Sequence, residues 1–88
     1  MTPVILVTGA ARRVGAEIAR ELHAAGARVA LHFRHSRSDA ETLAAGFNAT
    51  RPGSASIFQA DLLDSTSLPG LVSAVMECFG RLDGLVNN

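Results

Sequence analysis

Val7-Thr8-Gly9-Ala10-Ala11-Arg12-Arg13-Val14-Gly15 is the stretch whose residue types and spacing could do chemistry. It follows the apolar Val4-Ile5-Leu6 and leads into a helical pattern. A strand that enters a glycine-containing turn and then a helix leaves the helix's first backbone N–H groups without intrahelical partners. The helix dipole adds partial positive charge at the same place, so the layout suits a pyrophosphate and predicts a bound dinucleotide. Gly9, Arg12, Arg13 and Gly15 are the candidate phosphate-site residues. Gly9 and Gly15 also fit the plainer role of turn glycines in any α/β chain; their place after a strand and at a helix start favours the cofactor role. The spacing is not G-x-G-x-x-G, because no glycine follows Gly9 until Gly15, and an arginine, Arg13, stands where a middle glycine would sit.

The end of the second strand decides which dinucleotide. Sites that prefer NAD place a carboxylate there to accept from the ribose 2′-OH. This chain offers His32-Phe33-Arg34-His35-Ser36-Arg37, with no acidic residue until Asp39. A carboxylate would repel a 2′-phosphate, whereas guanidinium, imidazole and hydroxyl groups can bind one, and the arginine fork matches phosphate geometry. Arg13 and Arg34 are expected to converge from adjacent strand ends, and NADP(H) is expected over NAD(H). A solvated basic loop is the alternative.

Asp61-Leu62 follows the third strand, where an adenine ring would rest. Asp61 could accept from the adenine amino group, or be a turn residue ahead of a helix. Asn87-Asn88 ends the fourth strand, where an asparagine could bridge backbone groups, hold the ribose, or simply turn the chain. His32 alternates with apolar neighbours and reads as a structural histidine; His23 is expected on a helix surface. No histidine pair has metal-ligand spacing, so no metal is expected. Cys78 stands alone and is expected as a buried, inert thiol on a helix face.

The elements that must position these residues alternate. Val4–Val7 reads as a buried strand, and Val14, Ile18, Leu22 and Ala25 repeat at helical spacing up to a Gly26 cap. Val29–Phe33 is the second strand, and Ala40, Leu43, Ala44 and Phe47 form the stripe of the second helix. Pro52-Gly53 precedes a short strand near Ser56–Gln59, then Ser65 or Ser67 can cap a third helix with a Leu68, Leu71, Val72, Val75, Phe79 stripe, stopped by Gly80. Leu85-Val86 begins a fourth strand. The pattern βαβαβαβ predicts an α/β fold of the Rossmann type, a doubly wound parallel sheet of strand order 3-2-1-4 with the ligand crevice beside strand 1. One mononucleotide-binding half is complete and the second only begun, so residues 1–88 read as the opening part of a single larger domain, with strand 4 left as an open edge.

Composition sets the outer bounds. Six arginines face two glutamates in residues 1–37, whereas two arginines face six carboxylates in residues 38–88. Basic charge thus gathers around the expected phosphate site, and a formal net charge of zero disfavours nucleic acid. Met1-Thr2-Pro3 lacks a basic leader region and no run approaches a membrane span, so a reducing cytoplasm is the expected location. There is no lysine, tyrosine or tryptophan.

T-G-A-A-R-R-V-G after strand 1, D-L-L-D after strand 3 and L-V-N-N on strand 4 together resemble the N-terminal part of a short-chain dehydrogenase/reductase, over the whole chain. Arg13 and Leu31–Ser36 resemble its pteridine reductase branch, which reads close to T-G-A-A-K-R-L-G and L-H-Y-H-R-S at these places. L-H-A-x-G at Leu22–Gly26 and F-N-A-x-R-P at Phe47–Pro52 support the same branch. The resemblance implies NADPH-dependent reduction of dihydrobiopterin- or dihydrofolate-type pterins by the complete protein, as a homo-oligomer. It assigns Arg13, Phe33, Arg34, His35 and Ser36 to the 2′-phosphate region, Val14 to the pyrophosphate, Asp61 and Leu62 to adenine, and Asn87 to the adenosine-side ribose or nearby backbone. The arginine and histidine after strand 2 are in swapped order relative to that branch, and the long insertion some members carry after the D-L motif is missing. The family's catalytic Tyr-x-x-x-Lys pair, in which tyrosine donates a proton and lysine lowers its pKa, lies downstream of these residues. A 3-oxoacyl-carrier-protein reductase or another short-chain reductase is the neighbouring reading, and a non-catalytic dinucleotide-binding module the non-enzyme one.

Overall fold

The computed structural model describes residues 2–64 and 66–88. Strands and helices alternate along them: β1 Val4–Val7, α1 Arg13–Ala24, β2 Arg28–Phe33, α2 Arg37–Thr50, β3 Ala55–Gln59, α3 Ser67–Phe79 and β4 Gly84–Val86. All pairings are parallel and the sheet order is β3-β2-β1-β4, as the alternating pattern predicts for a Rossmann-like α/β fold. Register sets Val7 against Leu31 and Val86, which brings the ends of β1 and β4 level, while β2 runs on to Phe33 beside Gln59 of β3.

Successive strand residues point to opposite faces, and both faces are covered, so β1 and β2 are apolar almost throughout. Val7, Val29, Leu31 and Ala55 meet Ala19, Ala44 and Phe47 of α1 and α2 on one face. Val4, Leu6 and Ala30 meet Leu71 and Val75 of α3 on the other. Each fully buried Val or Leu contributes roughly 1.5–3 kcal/mol relative to exposure, so these two thin layers hold the strand ends in place.

The helices stop where the sequence says they should. Gly26 and Gly80 adopt positive φ after α1 and α3, a conformation that favours glycine. Pro69 falls in the first turn of α3, where a missing N–H breaks no helical bond. The helix faces differ in detail from the expected stripes. Val14 is 64% and Leu68 41% exposed, each on the outward side of its helix's first turn. In α1 the small Gly15, Ala16 and Ala19, with His23, take the inner face instead. Ser67 is the first residue of α3 rather than its cap; Thr66 holds that position with no side-chain cap bond. The alternative cap, Ser65, lies outside the described residues.

Two further expectations are corrected. His23 is buried, not on the surface: it is 5% exposed, its Nε2 lies 2.7 Å from Ser54 Oγ, and its ring stacks on Phe47 with centroids 4.2 Å apart. An imidazole with a hydroxyl partner and an aromatic neighbour can enter a core that a bare polar count would deny it. Cys78 is exposed although it follows Leu71 and Val75 at helical spacing: in the last turn of α3 the packing passes to Phe79 and leaves position 78 open. β4, three residues long, pairs with β1 alone, and Leu85 is 49% exposed on that open edge.

Candidate functional site

The turn after β1 is set by four side chains, those of Thr8, His32, Asn87 and Asn88. Gly9 N–H donates to His32 Nδ1 at 3.0 Å and Ala10 N–H to the His32 carbonyl at 2.9 Å. Thr8 Oγ1 accepts from Asn88 N–H at 2.9 Å, and its single proton faces both the Val86 carbonyl and Asn87 Oδ1, at 3.4 and 3.3 Å. Asn88 Nδ2 donates to the Gly9 carbonyl at 3.3 Å. Thus β4 and β2 grip the turn from either side.

The glycines are required by different means. Gly9 has φ +59, and a Cβ there would stand 3.2 Å from Asn88 Nδ2. Gly15 sits on the first turn of α1 against Gly9 itself: a Cβ would lie 1.9 Å from the Gly9 carbonyl oxygen, inside any permissible contact. Only a residue without a side chain lets helix and turn approach so closely. Between them Arg13 has φ 55, the one non-glycine with positive φ among the described residues. The place of a middle glycine is thus occupied by an arginine held in the left-handed region.

Arg12 is the N-cap of α1 and makes no side-chain cap bond, so the opening N–H groups of the helix point out of the turn without a protein acceptor from the cap. Across a cleft, Gly9, Ala11 and Arg12 face Phe33, Arg34, His35 and Ser36. The two sequence-predicted segments do meet, but Arg12, not Arg13, lines this cleft beside Arg34. Arg13 starts the helix with a left-handed backbone and is not among the residues lining this cleft. Phe33 is buried, with the Arg37 guanidinium 4.9 Å above its ring. Ser36 occupies the N-cap of α2, and its hydroxyl makes no cap bond.

The cleft's arginines have carboxylate partners. Arg34 Nε lies 3.3 Å from Asp61 Oδ1, and Arg12 Nε lies 3.6 Å from Asp39 Oδ2, all four side chains being roughly half exposed. Exposed pairs of this kind are worth about 0–1 kcal/mol, so a phosphate can displace or share them. Asp61 Oδ1 also accepts from Leu63 N–H at 3.0 Å, and Gln59 Nε2 donates to the Arg34 carbonyl at 2.9 Å. A neighbouring recess, lined by Thr8, Gly9, His32, Arg34, Leu62, Leu63 and the two asparagines, continues the cleft towards β4. Leu62 and Asn87 therefore adjoin the glycine turn.

At the β4 side, Asp64 shares a recess with Thr8, Leu62, Leu68, Leu85 and Asn87. The Thr66 hydroxyl, and then its N–H, hold the Asp64 carboxyl below its usual range. Sequence reasoning singled out Asn87-Asn88 as able to bridge backbone groups and His32 as structural, but gave Thr8 no role and named no partner for His32. A polar residue interrupting the apolar run of β2 was the available signal for the last.

Among the described residues no three His, Cys, Asp or Glu side chains cluster as metal ligands, and no helix is long and apolar enough to cross a membrane.

Residues 3–88 match the family described as short chain dehydrogenase, so the chain belongs to that family. It is 47% identical to pteridine reductase 1 of Leishmania tarentolae over 103 aligned residues, covering 98% of this chain and 36% of that protein. That alignment is longer than the chain, so the relative carries residues that this chain lacks within the matched stretch. The chain is also 40% identical to a hydroxynaphthalene reductase of Aspergillus fumigatus, over 97% of this chain and 31% of that protein. Against a 3-oxoacyl-[acyl-carrier-protein] reductase of Staphylococcus aureus the identity is 38%, over 100% of this chain and 35% of that protein. The chain thus spans about a third of the length of these curated relatives.

Proposed function

We propose that these residues form the NADP(H)-binding segment of a short-chain reductase, and that the whole protein reduces dihydropterins with NADPH. The observation that carries the cofactor choice is the cleft between the glycine turn and the end of β2. It sets Arg12 opposite Arg34, His35 and Ser36, with no carboxylate at the strand end where NAD sites place one. In this reading the pyrophosphate takes the N–H groups at the start of α1, near Arg13, Val14 and Gly15. The 2′-phosphate takes Arg34 with Arg12, His35 and Ser36, which line the cleft; adenine lies over Leu62 with its amino group towards Asp61, and Asn87 reaches the ribose.

The pterin substrate is supported by the likeness to pteridine reductase 1. A second reading, reduction of a 3-oxoacyl thioester, is favoured by the likeness to the staphylococcal reductase over the full chain. With no tyrosine or lysine in these residues, the proton-donating pair belongs elsewhere in the whole protein under either reading. The same proposal has that protein acting in the cytoplasm as a homo-oligomer.

Calorimetric titration of the whole protein tests the cofactor assignment. NADP+ is expected to bind more tightly than NAD+, and Arg34→Ala to narrow the gap by the value of one charge-assisted hydrogen bond, about 1.5–3 kcal/mol. Equal affinities for the two dinucleotides would remove the 2′-phosphate assignment. Turnover of dihydrobiopterin against a 3-oxoacyl thioester then separates the two substrates.

A further inference from the structure

His32 touches both walls of the cleft. It is 5% exposed and lies on β2 between Thr8 at the end of β1 and its cross-strand partner Phe58 on β3. Nδ1 accepts from Gly9 N–H at 3.0 Å, and Nε2 stands 2.8 Å from the Ala60 carbonyl oxygen. A carbonyl only accepts and an amide N–H only donates, so the ring carries its proton on Nε2 and keeps Nδ1 bare. Its own carbonyl takes Ala10 N–H. One residue thus consumes both N–H groups that open the glycine turn, which leaves the later ones, at the start of α1, to face an anion. Its other end fixes Ala60, the residue before Asp61 and Leu62.

We propose that His32 is a positioning residue for nucleotide binding, its neutral imidazole clamping the Gly9 turn to the end of β3 and so setting the spacing of the phosphate and adenine subsites. This rests on reading the cleft as a nucleotide site. Only the tautomer with its proton on Nε2 matches both partners, because a proton on Nδ1 would meet Gly9 N–H donor to donor in a buried place. Thr8 and Gly9 on the turn and Phe58 on β3 bring no charge to the ring, and α3 offers Leu71 and Val75 to that face. The charged groups nearby along the strands are Arg34 and Asp61, paired with each other, and further along the loop Asp64, held by Thr66.

The test is NAD+ affinity of the whole protein, wild type against His32→Ala and His32→Asn. His32→Ala removes both side-chain contacts, and His32→Asn keeps an acceptor for Gly9 N–H. Affinity is expected to fall about tenfold in His32→Ala and to recover in part in His32→Asn. Unchanged affinity in a folded His32→Ala, or no recovery in His32→Asn, overturns this role while the nucleotide site stands. Absence of binding of NAD+ and NADP+ by the wild type overturns the nucleotide reading and this role with it. Imidazole 15N shifts of the unliganded wild-type protein give a second check that needs no variant to fold. An Nε2–H tautomer at neutral pH is expected, and an Nδ1–H or charged ring there overturns the clamp.

Discussion

The two ends of the parallel sheet are built on opposite principles. At the end where the strands begin, the chain satisfies most of its own polar groups, Arg28 Nε being buried there without a partner. Arg51 donates to the carbonyls of His23 and Ala27 at 2.8 and 2.6 Å, neutralising the C-terminal end of α1 and the turn that follows it. The Asn48 side chain accepts from the N–H groups of Ser54 and Ala55 and donates to the Ala55 carbonyl, each at 3.0 Å. Ser54 Oγ donates to the Phe47 carbonyl at 3.2 Å, so the remaining contact runs from His23 Nε2–H to that oxygen. At the end where the strands finish, the arginines reach only half-exposed carboxylates, α1 and α2 start without side-chain caps, and Arg13 is held at positive φ. Donors closed on the chain give stability; donors left open and backbone held in a strained form give a place for a ligand.

The largest expected effect comes from the point where the binding end depends on close approach. In Gly15→Ala the new methyl would stand 1.9 Å from the Gly9 carbonyl oxygen and 2.7 Å from its carbon, backbone atoms that cannot swing aside. Forcing atoms into such a site typically destabilises by about 1–3 kcal/mol, sometimes more. Here the turn itself must move, so dinucleotide affinity should collapse along with the loss in urea stability. Retained affinity in Gly15→Ala would mean that the turn geometry is not what recognises the ligand.

A smaller effect, and one confined to acid, should come from the opposite end. Burial, and then the Arg51 guanidinium, lower the His23 pKa from 6.5. Above that value the ring is neutral in both folded and unfolded chains and stability is fully present. As pH falls below it the unfolded chain takes up a proton that the native site resists, so stability declines through the lowered native value. Denaturation midpoints measured between about pH 7.5 and about pH 5.5 should drop in the wild type and flatten in His23→Gln. Asp83, held low by Arg81 and then by Val4 N–H, sheds its contribution only as pH falls below the carboxylate value of 3.8, well under the pH at which the His23 loss sets in. An acid slope unchanged in His23→Gln would show that this end is not closed around a neutral ring.

Strand order and helix stops were legible because apolar runs, helical spacing and glycine placement each report a local physical requirement. Val4–Val7 as a strand, Gly26 and Gly80 as stops and the Ala40, Ala44, Phe47 face are of this kind. Burial of His23 was not legible, because its partners Ser54 and Phe47 come from other elements and the hydrogen bond spans 31 residues. The apolar-looking position of Cys78 misled for a related reason: helical spacing gives a face, but only packing says how wide the covered part of that face is. In the candidate site, the meeting of the glycine turn with Arg34–Ser36 followed from topology. The exchange of Arg12 for Arg13 in the cleft did not, and spacing gave no sign of the left-handed φ dihedral at Arg13.

That dihedral supplies the smallest and most discriminating prediction. A left-handed non-glycine backbone is disfavoured by roughly 1–2 kcal/mol, and glycine adopts it freely while losing about 0.5–1 kcal/mol through the entropy of the unfolded chain. Arg13→Gly should therefore leave stability unchanged or raise it by up to about 1 kcal/mol. If the strain is kept for the sake of the guanidinium, the same substitution should weaken NADP+ binding, and more so at low ionic strength, where a phosphate contact is least screened. Unfolding curves and NADP+ titrations on one preparation separate the outcomes. A gain in stability with a loss in affinity places Arg13 with the binding end of the sheet. A loss of stability would mean that the side chain is part of the scaffold, and the division between the two ends would have to be drawn on the far side of the glycine turn.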